Sequence, residues 1–123
     1  MTRWIGRYLM ITGIIHALLT LLFFGGELED IYNAGLWNSV SGHTERLAAF
    51  WFLFSGFLLV GLGLLADYVE KSHGVLPVSL GYSLLLLAML ILLVLPLSGG
   101  WLLLPPAIAI MYCDAKRFRQ NAD

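Results

Sequence analysis

A chain of 123 residues, 59% of them hydrophobic and 12% charged, carries more apolar surface than a water-soluble fold of this size can hide. The formal net charge of −1 supplies no clustered basic face, so a nucleic-acid partner is not expected. Cys113 is the single cysteine, which excludes an intramolecular disulfide and a thiolate metal cluster.

A transmembrane helix needs about 20 mostly apolar residues to cross the roughly 30 Å hydrocarbon core. The first stretch of that length covers about residues 5–24, interrupted by Arg7 near its start and by His16. It reads as an uncleaved first span rather than a signal peptide, since its apolar run exceeds the roughly 7–15 residues of a signal and no A-x-A-like site follows. Next comes the sizeable loop. Its stretch from Glu27 to Val40 sets Leu28, Ile31, Tyr32, Leu36 and Trp37 near helical spacing, with Glu27, Glu29 and Asp30 in the first turn, where the helix dipole favours acids. Two readings stand: a short interfacial helix, against which Gly35 counts, and an ordered loop with Trp37 anchored at the headgroups.

The second span covers about residues 47–66, without a formal charge, and Asp67, Tyr68, Val69, Glu70 and His73 follow as a short loop. The third covers about 76–97, with Pro77 in its first turn, where proline is tolerated, and Pro96 near its end. Ser98-Gly99-Gly100 reads as a tight turn. The last apolar stretch, Trp101 to Cys113, would reach only about 20 Å as a helix. It is read as a full span over about 101–118, because Lys116, Arg117 and Arg119 can snorkel back to the headgroups; a re-entrant segment is the alternative. The expected fold is therefore all-α and integral to the membrane: a four-helix transmembrane bundle forming a single domain over residues 1–123.

Orientation follows from the basic residues. With the N-terminus cytoplasmic, Arg3, Arg7, Lys71, Lys116, Arg117 and Arg119 share one side and Arg46 stands alone on the other, six against one. Both termini are expected in the cytoplasm of a cell that carries the protein in its inner or plasma membrane as a multi-pass chain. Arg7 and Asp114 fall at similar depth and could close the first and last helices as an ion pair.

Chemistry concentrates on the first span. Tyr8, Thr12, His16 and Thr20 recur at i, i+4 spacing and form one polar ridge. His16 lies near the bilayer midplane, where an ionisable residue usually faces the bundle interior and marks a functional site. A neutral imidazole both donates and accepts, which suits ligand binding or proton relay. It equally suits a structural role, hydrogen-bonding a hydroxyl on the next helix, and Ser55 is at the right depth for that. At the outer mouth, Glu45, Arg46 and, further in, Trp51 could orient an entering ligand. Their plainer reading is an interfacial pair and an aromatic belt residue, with Thr44 as N-cap. Ala49, Gly56 and Gly63 fall at heptad spacing, and Ser79 with Ser83 makes a small-xxx-small pair; both patterns serve core packing or dimerisation. His43 and His73 lie in loops on opposite sides, so the histidines cannot meet at one metal.

Arg7, the Gly13…His16 pair, Gly35-Leu36-Trp37, and the run from Arg46 to Leu53 together resemble an uncharacterised family of small bacterial four-span integral membrane proteins. That resemblance implies the four-span architecture and no established activity. Small multidrug transporters have a similar length and span count, but they rely on a carboxylate at the position where this chain has His16. The expected function is a binding protein for a lipid or small lipophilic molecule, held in an intramembrane pocket of Thr12, His16, Thr20, Ser55 and Trp51, with Glu45 and Arg46 at its mouth. The alternatives are an oligomeric proton-linked transporter, with His16 titrating, and an isomerase-like membrane enzyme on a lipophilic substrate. No cofactor and no metal are expected, and a homo-oligomer would form through Ala49, Gly56 and Gly63.

Overall fold

The computed structural model describes residues 3–122, which contain helices and no strand. In chain order these are α1 (Ile5–Phe23), α2 (Gly25–Asn33), α3 (Thr44–His73), α4 (Val78–Val94), a 3-10 helix (Gly99–Leu103) and α5 (Leu104–Ala122). Two of them, α1 and α3, are long and apolar enough to cross a membrane, and α4 is a shorter apolar helix.

The boundaries follow from local chemistry. Gly35 (φ 87°) is left-handed just after α2, so the helix in the long loop ends at Asn33 rather than continuing to Val40. α3 is longer than its apolar core at 30 residues, about 45 Å at the α-helical rise. Asp67 to His73, expected as a loop, instead form its last turns. These charged residues interrupt the hydropathy without opposing helical backbone, and the first real breaker is Gly74, with φ 74°. Lys71 and His73 also complement the α3 dipole there. α4 stops at Val94 because Pro96 disfavours helical backbone at Leu95, whose φ and ψ are −133° and 75°. The expected turn at Ser98-Gly99-Gly100 becomes a 3-10 helix whose N-cap hydroxyl, Ser98 Oγ, accepts from the Gly100 amide at 3.3 Å. Pro105 and Pro106 then occupy the first turn of α5, where their missing N–H groups cost nothing.

The chain folds as two compact units: one contains the residues up to Tyr8 and from Leu65 onward, the other Leu9–Leu64. In the first unit, α4 meets α5 through Gly81, where an added Cβ would lie 3.1 Å from Ile110 and Met111. Leu84, Ala88, Leu103, Ala107 and Ile110 are buried in this unit. Ser79 and Ser83, the expected packing pair on α4, are exposed, and the Ser83 hydroxyl donates to the Ser79 carbonyl at 2.8 Å. The close contact on α4 is made by Gly81 because it alone brings bare backbone to α5.

The same unit holds a carboxylate that is almost wholly buried. Glu70, 1% exposed, accepts from the Gly6 amide at 2.8 Å and the Ile5 amide at 3.3 Å. The opening amides of α1 have no partner within their own helix, and here a side chain from α3 takes them across a sequence separation of 64 and 65 residues. The negative charge also sits at the positive end of the α1 dipole. Asp67, one turn earlier, pairs with Lys71 and, at 3.8 Å, with Arg7. The ion pair expected between Arg7 and Asp114 is thus replaced by one with Asp67, which the helical continuation of α3 carries up to α1. Tyr8 donates to the Leu102 carbonyl at 2.9 Å.

In the second unit α1 and α3 approach through glycine. A Cβ added at Gly13 would stand 2.7 Å from the Val60 amide nitrogen and 2.8 Å from the Gly56 carbonyl oxygen. One added at Gly56 would stand 3.0 Å from the Ala17 nitrogen. Ala49, Gly56 and Gly63 are all buried within the chain, so the heptad-spaced stripe serves packing inside one molecule.

Candidate functional site

The site is built where the second half of α1 meets the first half of α3 in the second unit. His16 Nε2 lies 3.0 Å from Ser55 Oγ. The imidazole also stacks on Phe52, with ring centroids 4.1 Å apart and planes 20° apart. Phe24 also packs against the Phe52 ring, tilted, with centroids 5.3 Å and planes 47° apart. Phe52 and Ser55 are three residues apart on α3, so they present to one side of the helix and receive His16 together. The Ser55 hydroxyl in turn donates to the Phe52 carbonyl at 2.8 Å. His16 is half-buried and Ser55 exposed, so the pair opens at the surface of the described residues.

The remaining predicted residues have distinct situations. Thr20 is fully buried, and its hydroxyl donates back to the His16 carbonyl at 3.2 Å, so its polar group is satisfied by the backbone of α1 rather than presented to the site. Thr12 is half-buried one turn before His16. Trp51 is 55% exposed and makes edge-on contacts with Phe50 and Phe54 at 5.5 and 5.6 Å. It precedes Ser55 by one helical turn. Glu45 is exposed in the first turn of α3, where the dipole favours it.

Arg46 is committed elsewhere. Its guanidinium donates to the Ser39 carbonyl at 3.1 Å, and the buried Ser39 hydroxyl donates to the Leu36 carbonyl at 2.9 Å. This chain of bonds fastens a strained loop in which Leu36 (φ 67°) and Asn38 (φ 50°) are left-handed. Arg46, expected at the mouth of a ligand site, therefore anchors the loop after α2.

The sequence reading missed Phe52, Phe24 and Glu70. Aromatic side chains inside an apolar run look like any other core residue, and the cap by Glu70 has no local signature. A small cavity of about 30 Å³, room for about one water, adjoins Glu70 and is also lined by Cys113, Asp114 and Arg117. Among the described residues no group of histidine, cysteine and carboxylate side chains is arranged to hold a metal ion.

Residues 1–117 match the model of a family described as a family of unknown function, DUF6463. The chain belongs to that family. Membership of DUF6463 brings no assigned activity, in keeping with the resemblance carried by Gly13, His16, Gly35-Leu36-Trp37 and the opening of α3. No curated protein and no solved structure matches this DUF6463 chain.

Proposed function

We propose that this DUF6463 protein is a four-span membrane protein, both termini cytoplasmic, that binds a lipid or small lipophilic molecule beside His16. The reading rests on one observation: a directed polar pair, His16 with Ser55, opens at a surface that is otherwise apolar. On α1, Ile11, Ile14, Ile15, Leu18, Leu21 and Leu22 are each at least half exposed. On α3, Trp51, Phe57 and Leu58 are too. Lipid is the solvent that tolerates such a surface, and sites between bundle helices are mostly apolar with a few placed polar groups. α4 and the apolar half of α5 supply the third and fourth spans of this reading, with the basic end of α5 at the headgroups.

Native mass spectrometry from a mild detergent tests the site, with wild type beside His16→Leu. The wild type is expected to carry a bound lipophile that the variant loses at least tenfold, with the oligomeric state unchanged. Absence of a bound mass in both, or a changed oligomer in the variant, would leave His16 as a helix-packing residue. Orientation is tested separately by an impermeant maleimide on intact cells, using cysteines placed at Ser41 or Ser72 in a Cys113→Ala background. Labelling at 41 and protection at 72 is the expected result; the reverse pattern, or labelling at both, defeats the topology.

A further inference from the structure

The two sides of α5 differ in chemistry. At about 100° per residue, Ile108, Tyr112, Lys116 and Arg119 fall within about 80° of one another and share one face. All four are exposed, Ile108 at 58% and Tyr112 at 68%. Along about 17 Å of helix this face passes from an aliphatic side chain, through a phenol, to an ammonium and a guanidinium. Ile110, Cys113, Asp114 and Arg117 lie on the opposite side, where they line the small cavity beside Glu70. Charge on the exposed face is uncompensated. Asp114 is the one acid in α5, and it belongs to the cavity side. In the same unit Asp67 is taken by Lys71 and Arg7, and Glu70 is buried on the amides of Ile5 and Gly6. Among the described residues neither Lys116 nor Arg119 has an ion-pair partner.

We propose that this face of α5 seats an anionic phospholipid of the surrounding bilayer, with its phosphate at Lys116 and Arg119, its glycerol region at Tyr112 and an acyl chain along Ile108. The inference rests on the four-span reading and is independent of any ligand at His16. The order of the face is the order of a phospholipid: hydrocarbon, then the interface where an amphipathic ring is at home, then phosphate. Arginine and lysine both receive phosphate, the first as a fork and the second as a point charge. A zwitterionic headgroup adds an ammonium that the two open cations repel, whereas an anionic one adds none. An inorganic phosphate or an acidic protein surface would satisfy the cations but leave Ile108 and Tyr112 uncovered.

The test uses the full chain in nanodiscs of equal parts phosphatidylglycerol and phosphatidylcholine with the same acyl chains. Native mass spectrometry then counts the lipids retained on the released protein. The wild type is expected to retain phosphatidylglycerol over phosphatidylcholine about fivefold, the ratio given by about 1 kcal/mol of headgroup attraction. The double variant Lys116→Gln/Arg119→Gln should bring that ratio to one. Arg3→Gln/Arg117→Gln removes the same charge from outside the face and should leave the preference largely intact. All four positions are exposed, so neither pair of substitutions disturbs packing. Equal retention of the two lipids by the wild type, or equal loss of preference in both double variants, overturns the α5 site while the four spans stand. Extraction of the wild type from phosphatidylcholine vesicles by alkaline carbonate would defeat the membrane reading, and this inference with it.

Discussion

Glu70→Ala is expected to destabilise the detergent-solubilised protein by about 3 kcal/mol. The variant removes the acceptor from two amides, those of Ile5 and Gly6, at the buried start of α1, and each orphaned buried donor costs about 1–3 kcal/mol. A further loss comes from the missing negative charge at the positive end of the α1 dipole. Glu70→Gln separates these terms. Glutamine keeps one carbonyl oxygen for the shorter bond to Gly6 but carries no charge, so about half the loss should return. Denaturation of the three proteins in one detergent, followed by helical circular dichroism, reads the order wild type, glutamine, alanine. Alanine as stable as glutamine would mean that water entering the adjoining cavity serves the amides equally well, and that the carboxylate is not the cap.

Much of this architecture was legible from hydropathy and punctuation. The apolar runs at about 5–24, 47–66 and 76–97 correspond to α1, the body of α3, and α4 with its flanks, and Pro96 and the prolines opening α5 punctuate the chain after them. Depth matching brought position 16 to position 55, because two antiparallel spans place their midpoints together. Other features had no local signal. Charge at Asp67 and Glu70 ends an apolar window but not a helix, so the last turns of α3 read as loop. The bond from Glu70 to α1 joins residues whose proximity depends on the whole crossing of two helices. Phe52 was hidden for a different reason: stacking geometry leaves no mark on composition. Arg46 drew attention by its isolation, yet its bond to the Ser39 carbonyl serves a loop whose left-handed Leu36 no propensity would suggest.

Gly13→Leu is expected to be the most damaging single change in the second unit, costing about 3 kcal/mol or preventing assembly. Even the Cβ of alanine would come within 2.8 Å of backbone atoms of Val60 and Gly56, which cannot rotate away as a side chain would. The helices must move apart, and over-packing of a tight contact costs about 1–3 kcal/mol and occasionally more. Separation would also pull His16 from Ser55 and Phe52, because position 16 lies one turn further along the same helix. The variant should therefore lose stability and, on the proposed function, the bound lipophile together. Gly61 provides the control. It lies on α3 close to the same crossing, but a Cβ there meets nothing within 4 Å. Gly61→Ala removes only the entropic weakness of glycine in a helix and should be neutral or stabilising by up to about 1 kcal/mol. Equal behaviour of Gly13→Ala and Gly61→Ala in thermal unfolding would show that the α1–α3 contact is looser than its geometry, and that small size at Gly13 is incidental. A loss confined to the Gly13 variants ties the close backbone approach to the geometry that holds His16 on Ser55.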